Sequence, residues 1–254
     1  MIKKSGYIAV LDVLGFSERI ARESDPGRGL DAYIDTVANT VAPHEGLGRI
    51  LFSDTVVLFS FGDDSESFRQ LSLVASRLLY SLIESEVPVR GAIAHGDFAR
   101  SDGAGSGTVL AGRPIVEAHN YEAIQQWIGI MLAPSALRKL GPLADVTAVT
   151  GRENHETETS YFVRCLNACR IQPCPRIPIQ ASGGAAASTL EGYALVPMNP
   201  EVRTTGDIKE SLAKSIDRLR WLKYLAPDSR SQSKYQNSID WLSGLLTDWT
   251  SRIR

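Results

Sequence analysis

The chain has 254 residues, 43% of them hydrophobic and 22% charged, which suits one sizeable globular domain and excludes a disordered or fibrous one. Its net charge of −2 gives no basic footprint for duplex nucleic acid, so any phosphate-bearing ligand must be held by local groups or metal ions. No apolar run approaches the roughly 20 residues a membrane span needs, and Met1-Ile2-Lys3-Lys4 leads straight into a strand-like segment, so a cytoplasmic protein without membrane association is expected.

Tyr7 to Asp12 is a short apolar run ending in a carboxylate, and Val13 to Ser17 then opens a helical stretch through about Arg22. A helix over Gly29–Val41 follows from the recurrence of Leu30, Tyr33, Ile34, Val37 and Val41, and Pro43 and Gly46 stop it. Arg49–Ser53 and Thr55–Phe61 are two β-rich halves meeting at Ser53-Asp54, a hairpin that presents Asp54 at its tip. Between Asp64 and Glu86 the spacing of Phe68, Leu71, Ala75, Leu78 and Leu82 predicts an amphipathic helix on a sheet, ended by Pro88. Val89–Gly96 reads as a strand leading to a turn at Ser101–Gly107, Gly112–Gln126 as a helix and Ile128–Leu132 as a strand. The order β-α-β-β-α-β is the ferredoxin-like plan, an α+β fold.

Beyond Pro134 the pattern weakens. Strands are expected at Ser160–Cys165 and Gly192–Val196, and the small-residue stretch Ala181–Ser188 receives no role. Cys165, Cys169 and Cys174 are an odd number with no histidine pair to complete a zinc site, and read as free thiols. Two helices finish the chain, one carrying Ile208, Leu212, Ile216 and Leu219, the other Ile239, Leu242, Leu246, Trp249 and Ile253. Residues 205–254 are thus expected to be a helical extension, for packing or dimer support, of a single domain spanning 1–254.

In this plan the strand ending at Asp12 neighbours the hairpin bearing Asp54, so the two carboxylates converge. Such a pair suits Mg²⁺ or Mn²⁺, and two such ions activate a hydroxyl while neutralising leaving phosphates. Taken singly, each aspartate has a plainer reading, as a helix cap or a turn residue.

Resemblance adds to this. Ile8-Ala9-Val10-Leu11-Asp12-Val13-Leu14-Gly15-Phe16-Ser17 resembles the first-strand signature of the class III nucleotide cyclases, and Phe52-Ser53-Asp54-Thr55 resembles their second metal-binding hairpin. Val89-Arg90-Gly91-Ala92-Ile93-Ala94-His95-Gly96 is similar to the strand bearing a phosphate-contacting arginine, here Arg90. Gly112 to Glu122 falls where the family has a glycine followed by its transition-state helix. The resemblance implies that Asp12, the Val13 carbonyl and Asp54 hold two metal ions, and that a ribose 3′-hydroxyl attacks the α-phosphate with loss of pyrophosphate. It places the β- and γ-phosphates on Leu14, Gly15 and Phe16, where backbone N–H groups at a helix start favour anions. Arg90 also has a plainer reading, as a solvated arginine at a strand end.

The match breaks at two places. The family's base-reading pair aligns with Ile50 and Val109, neither able to make the lysine–aspartate readout of adenylate cyclases, and Arg49 and Thr108 are the nearest polar candidates. The transition-state asparagine and arginine align with Val116 and Asn120, so Asn120 offers a hydrogen bond without charge and Arg113 is a candidate replacement cation. The motifs LDVLGFS, FSDTVVLF and VRGAIAHG look most like the pyrimidine cyclases of the bacterial Pycsar anti-phage systems. That likeness implies cyclic UMP or cyclic CMP as product, a homodimer with composite sites, and a separately encoded effector that senses the product. The alternatives are a purine cyclase with unusual base contacts, a cyclase-like nucleotide-binding module without turnover, and, more distantly, a palm-type polymerase or diguanylate cyclase, whose Gly-Gly-Asp/Glu-Glu-Phe signature is missing. His95 and His119 are conceivable general bases, but read as structural or solvent-facing. Trp221, Trp241 and Trp249 read as packing residues.

Overall fold

A computed structural model of the protein describes residues 2–16, 26–103, 107–140, 171–173, 192–199 and 205–252. In chain order the elements are β1 (Ile2–Val13), α1 (Pro26–Val41), β2 (Leu47–Phe52), β3 (Thr55–Ser60), α2 (Ser65–Glu84), β4 (Val89–Gly103), β5 (Gly107–Gly112) and α3 (Arg113–Ile124). There follow β6 (Gly129–Leu132), α4 (Pro134–Leu140), β7 (Ile171–Pro173), β8 (Tyr193–Leu195), α5 (Thr205–Leu225) and α6 (Ser229–Arg252).

The strands form one sheet in the order β2-β3-β1-β4-β6-β8-β7, with β5 paired to β4. Its first four strands are mutually antiparallel, with β1 between β3 and β4, which is the expected α+β ferredoxin-like arrangement. β1 is apolar without alternation because both sheet faces are covered. Tyr7, Ala9, Leu11 and Val13 point into a core shared with α1, α2, α5 and α6. Ile8 and Val10 point into a second core with Ala118 of α3 and Trp127. α2 begins where Asp64 accepts a 2.7 Å hydrogen bond from the Ser67 N–H, and buries the predicted stripe of Phe68, Leu71, Ala75, Leu78 and Leu82.

Three expectations are corrected. Ser101–Gly107 is not wholly a turn: β4 runs on to Gly103 and β5 returns beside it, pairing Phe98 with Gly112 through Gly103 with Gly107. Gly103 and Gly107 form the last pair of the ladder, and Thr108-Val109-Leu110 has the β-forming content to extend it. The carboxyl-terminal strand is shorter than read, and it joins the main sheet against β6. Trp221 is not a packing residue, for it lies half exposed, stacked on Tyr224, whereas Trp241 packs against Trp127 at 5.0 Å between ring centres. The helix expected through Arg22 is described only to Phe16, and the strand at Ser160–Cys165, the three cysteines and Ala181–Ser188 lie outside the described residues.

The close approach of β4 to β1 depends on Gly91, where a Cβ would lie 2.4 Å from the Val10 carbonyl oxygen and 3.1 Å from the Leu11 Cα. Backbone on the partner strand cannot swing aside as a side chain does. Gly91→Ala is expected to destabilise the protein by about 2 kcal/mol, read as a lowered urea midpoint with an unchanged slope.

Candidate active site

Register places the site. Asp12, one residue from the end of β1, sits opposite Thr55 on β3 and Arg90 on β4. The β2–β3 hairpin turns tightly through Ser53 and Asp54, with Ser53 in the left-handed region at φ 54°. The Val13 N–H donates to the Asp54 carbonyl at 3.0 Å, tying the hairpin tip to the end of β1. Two aspartates 42 positions apart in sequence thereby share one end of the sheet. Burial pushes the Asp12 carboxyl above the usual carboxylate range, Arg90 opposes this, and the neighbouring Asp54 pushes it up further.

Arg90 is not a solvated strand-end arginine. Its Nε lies 2.6 Å from Glu122 Oε1 and its Nη2 3.5 Å from Asp12 Oδ2, while Nη1 donates to the Gln125 carbonyl at 3.2 Å. Gln125 is held in turn by donating from Nε2 to the Trp127 and Gly129 carbonyls at 3.1 and 2.8 Å. Glu122 is 3% exposed. Burial raises its pKa, Arg90 opposes this, and the charge of Asp12 raises it again. His119 Nδ1 stands 3.4 Å from the same carboxyl, with most of its ring in solvent.

The donor set suits a hard divalent cation: two carboxylates at one end of the sheet, with Asp12 held from ionising by burial first and by the Asp54 charge after it. A further sign is Tyr33 of α1, only 2% exposed, whose hydroxyl lies in the field of Asp54 and Asp12 and has no hydrogen-bond partner among the described residues. Buried hydroxyls are rarely left so, and a bound ion's water or a phosphate oxygen satisfies such a group. Among the described residues no cluster of three or more His, Cys, Asp or Glu side chains is placed to hold a metal ion.

The phosphate-binding candidates Leu14, Gly15 and Phe16 follow Asp12 directly. The Leu14 N–H donates to the Pro88 carbonyl at 2.9 Å, Gly15 adopts φ 71°, and the Phe16 ring packs 6.4 Å from Tyr33. The base-reading candidates lie elsewhere. Arg49 and Ile50 are on the edge strand β2, whereas Thr108 and Val109 are on β5, opposite Asp102 and Ser101 of β4. Arg100 already pairs with Ile2, ten residues from Asp12 along β1, so at about 3.4 Å per residue the Thr108–Val109 end of β5 lies roughly 30 Å along the sheet from the aspartates. Thr108 Oγ1 donates to Asp102 Oδ1 at 2.9 Å. On α3, Arg113, Val116 and Asn120 all face solvent, Val116 with 60% exposure. One copy of the chain therefore does not bring Thr108 and Val109 together with Asp12 and Asp54. His95 sits in the middle of β4 opposite Tyr7, five residues along β1 from Asp12, with its ring against that of Tyr7.

The sequence reading missed Glu122, Gln125 and Tyr33 as site groups. Glu122 had a signal: Pro114, Ala118 and Glu122 form one buried stripe at steps of four on α3, and a carboxylate in such a stripe needs a buried partner.

No family model and no curated protein matches the chain. Solved structures do. The guanylate cyclase domain of RhGC from Catenaria anguillulae, in complex with GTP, matches with a TM-score of 0.51 at 11% identity over 78% of this chain and 99% of that one. The adenylyl cyclase CyaB from P. aeruginosa matches with a TM-score of 0.51 at 12% identity over 80% of this chain and 100% of that one. With its four-stranded antiparallel centre and packed helices, the chain has the fold of the class III nucleotide cyclase domains.

Proposed function

We propose that the protein is a nucleotide cyclase, acting in the cytoplasm as one catalytic domain, that converts a pyrimidine nucleoside triphosphate, UTP or CTP, into its 3′,5′-cyclic monophosphate and pyrophosphate. The observation that carries the reading is the meeting of Asp12 and Asp54 beside Arg90 at the sheet end of a cyclase fold. Two divalent cations, Mn²⁺ or Mg²⁺, held by Asp12, Asp54 and the Val13 carbonyl, would supply activation of the 3′-hydroxyl and neutralisation of the leaving phosphates. The protein's own groups do the rest. With the Leu14 N–H engaged by the Pro88 carbonyl, Gly15 and Phe16 are left to offer backbone N–H groups to the phosphates, and Glu122 and the Gln125 carbonyl fix the Arg90 charge beside them. Asn120 and Arg113, exposed on α3, are the groups left to meet the transition state.

The wide separation of β5 from the aspartates supports a homodimer in which Thr108 and Val109, with Arg49 and Ile50, read the base in a site completed by a second copy. Pyrimidine choice rests on the absence of the purine readout at Ile50 and Val109 and on the motif likeness to the Pycsar cyclases. On that reading the product signals to a separately encoded anti-phage effector. The solved structures of like fold are a guanylate cyclase domain with GTP and an adenylyl cyclase, which makes purine cyclisation the competing outcome.

Incubation with each of the four nucleoside triphosphates and Mn²⁺ decides between them. Cyclic product from UTP or CTP is expected, and product from ATP or GTP alone ends the pyrimidine assignment. A second reading, a nucleotide-binding module without turnover, is favoured by the exposed Val116 where the resemblance expects an asparagine. Tight triphosphate binding with no cyclic product from any nucleotide would establish it.

A further inference from the structure

Between the β1 exit and the α5–α6 hairpin lies a cleft of about 480 Å³, within the range of small-ligand sites. One wall is Val13, Leu14 and Gly15, directly after Asp12, and the other is Ser231, Lys234 and Tyr235 of α6. The helix is fixed there by polar contacts with the loop after α3. Ser238 Oγ accepts from the Ile128 N–H at 2.7 Å, and Asn237 Nδ2 donates to the Gln126 carbonyl at 2.8 Å. This is the loop whose Gln125 carbonyl holds Arg90.

Lys234 is a half-buried ammonium with no ion pair among the described residues. Burial and the nearby charges of Arg90 and Arg230 disfavour its protonated form, and Asp12 and Glu122 only partly offset them. Glu86, which also lines the cleft, is already paired with Arg218 at 2.9 Å, so a half-buried ammonium near two arginines gains from an arriving anion. The cleft offers room for one where the nucleotide's phosphates are expected to lie. Resting on the cyclase reading, we propose that Lys234 binds the β- and γ-phosphates of the substrate, which makes the carboxyl-terminal helical hairpin a wall of the active site. The hairpin then serves substrate capture as well as packing.

The test uses full-length protein, calorimetry with inorganic tripolyphosphate in the presence of Mn²⁺, and uridine 5′-monophosphate as a ligand lacking the outer phosphates. Lys234→Met keeps the side chain's apolar length, and its thermal melt should match wild type. It is expected to weaken tripolyphosphate binding about tenfold or more, with monophosphate binding unchanged and Lys234→Arg restoring most of the loss. Wild-type affinity for tripolyphosphate in Lys234→Met overturns the proposal, as does a wild-type protein that binds no tripolyphosphate. If Lys234-dependent binding is found but no triphosphate is cyclised, the inference stands and the cyclase reading falls. If Lys234→Met cyclises substrate with wild-type KM, the reading stands and the inference falls.

Discussion

Asp12→Asn is expected to lower cyclisation by about a thousandfold or more while leaving the cation-free protein as stable as wild type, or more so. The two halves of this outcome share one cause. Asp12 is partly buried and lies near Asp54, so burial first and the Asp54 charge second disfavour its ionised form even beside Arg90. Because its folded pKa is raised above the ordinary 3.8, its ionisation costs stability, and the cost has a definite pH window. It is absent well below 3.8, grows as pH rises through the raised folded value, and is complete above it. Asparagine never incurs it, so the stability difference between variant and wild type should widen through the acidic range and level off towards neutrality. Adding Mn²⁺ reverses the ranking. At about 100 times its dissociation constant the ion stabilises wild type by about 2.7 kcal/mol, several degrees in Tm for a chain this long, and Asp12→Asn should show little of that shift. An Asp12→Asn protein that melts far below wild type without metal, or that gains as much from Mn²⁺, would refute a metal role for this carboxylate. Asp54→Ala should lose activity likewise.

The first half of the chain was legible because its signals are redundant. β1, α1, the β2–β3 hairpin and α2 each combine an apolar period with a stop residue, and the two aspartates fall at a strand end and a hairpin tip, where topology alone makes them neighbours. The rest of the site was hidden for specific reasons. Tyr33 contributes its ring to the apolar stripe of α1, so the pattern shows a core residue, and nothing local says that its hydroxyl reaches the field of Asp54. Glu122 and Arg90 are 32 positions apart and meet only because α3 crosses back over β4. Lys234 shares the inward face of α6 with Ser238 and Leu242, and a reading by hydrophobic residues passes over a lysine and a serine in that stripe. The β4–β5 hairpin was shortened to a turn because glycine content outweighed three β-forming residues at its end.

Glu122 is expected to control how strongly Asp12 binds a cation, although it is not itself among the expected ligands. Arg90 is closer to Glu122, at 2.6 Å, than to Asp12, at 3.5 Å, so Glu122 draws the guanidinium aside and leaves the Asp12 carboxylate open. In Glu122→Gln that pull is lost, Arg90 closes on Asp12, and an entering cation must displace a fixed positive charge. Mn²⁺ affinity is expected to fall about tenfold, in the range typical of residues that orient metal ligands from behind. Glu122→Ala is harsher, because it leaves a cavity as well as a half-paired buried arginine, and should cost about 3 kcal/mol in a urea titration. The two effects separate in a cycle with Arg90→Met. If the arginine's competition is the mechanism, removing it in the Glu122→Gln background should recover most of the lost Mn²⁺ affinity, a coupling that independent sites do not show. Unchanged Mn²⁺ binding in Glu122→Gln, or additive losses across the cycle, would mean that the Arg90–Glu122 contact only supports the fold and that Asp12 meets its cation without help from α3.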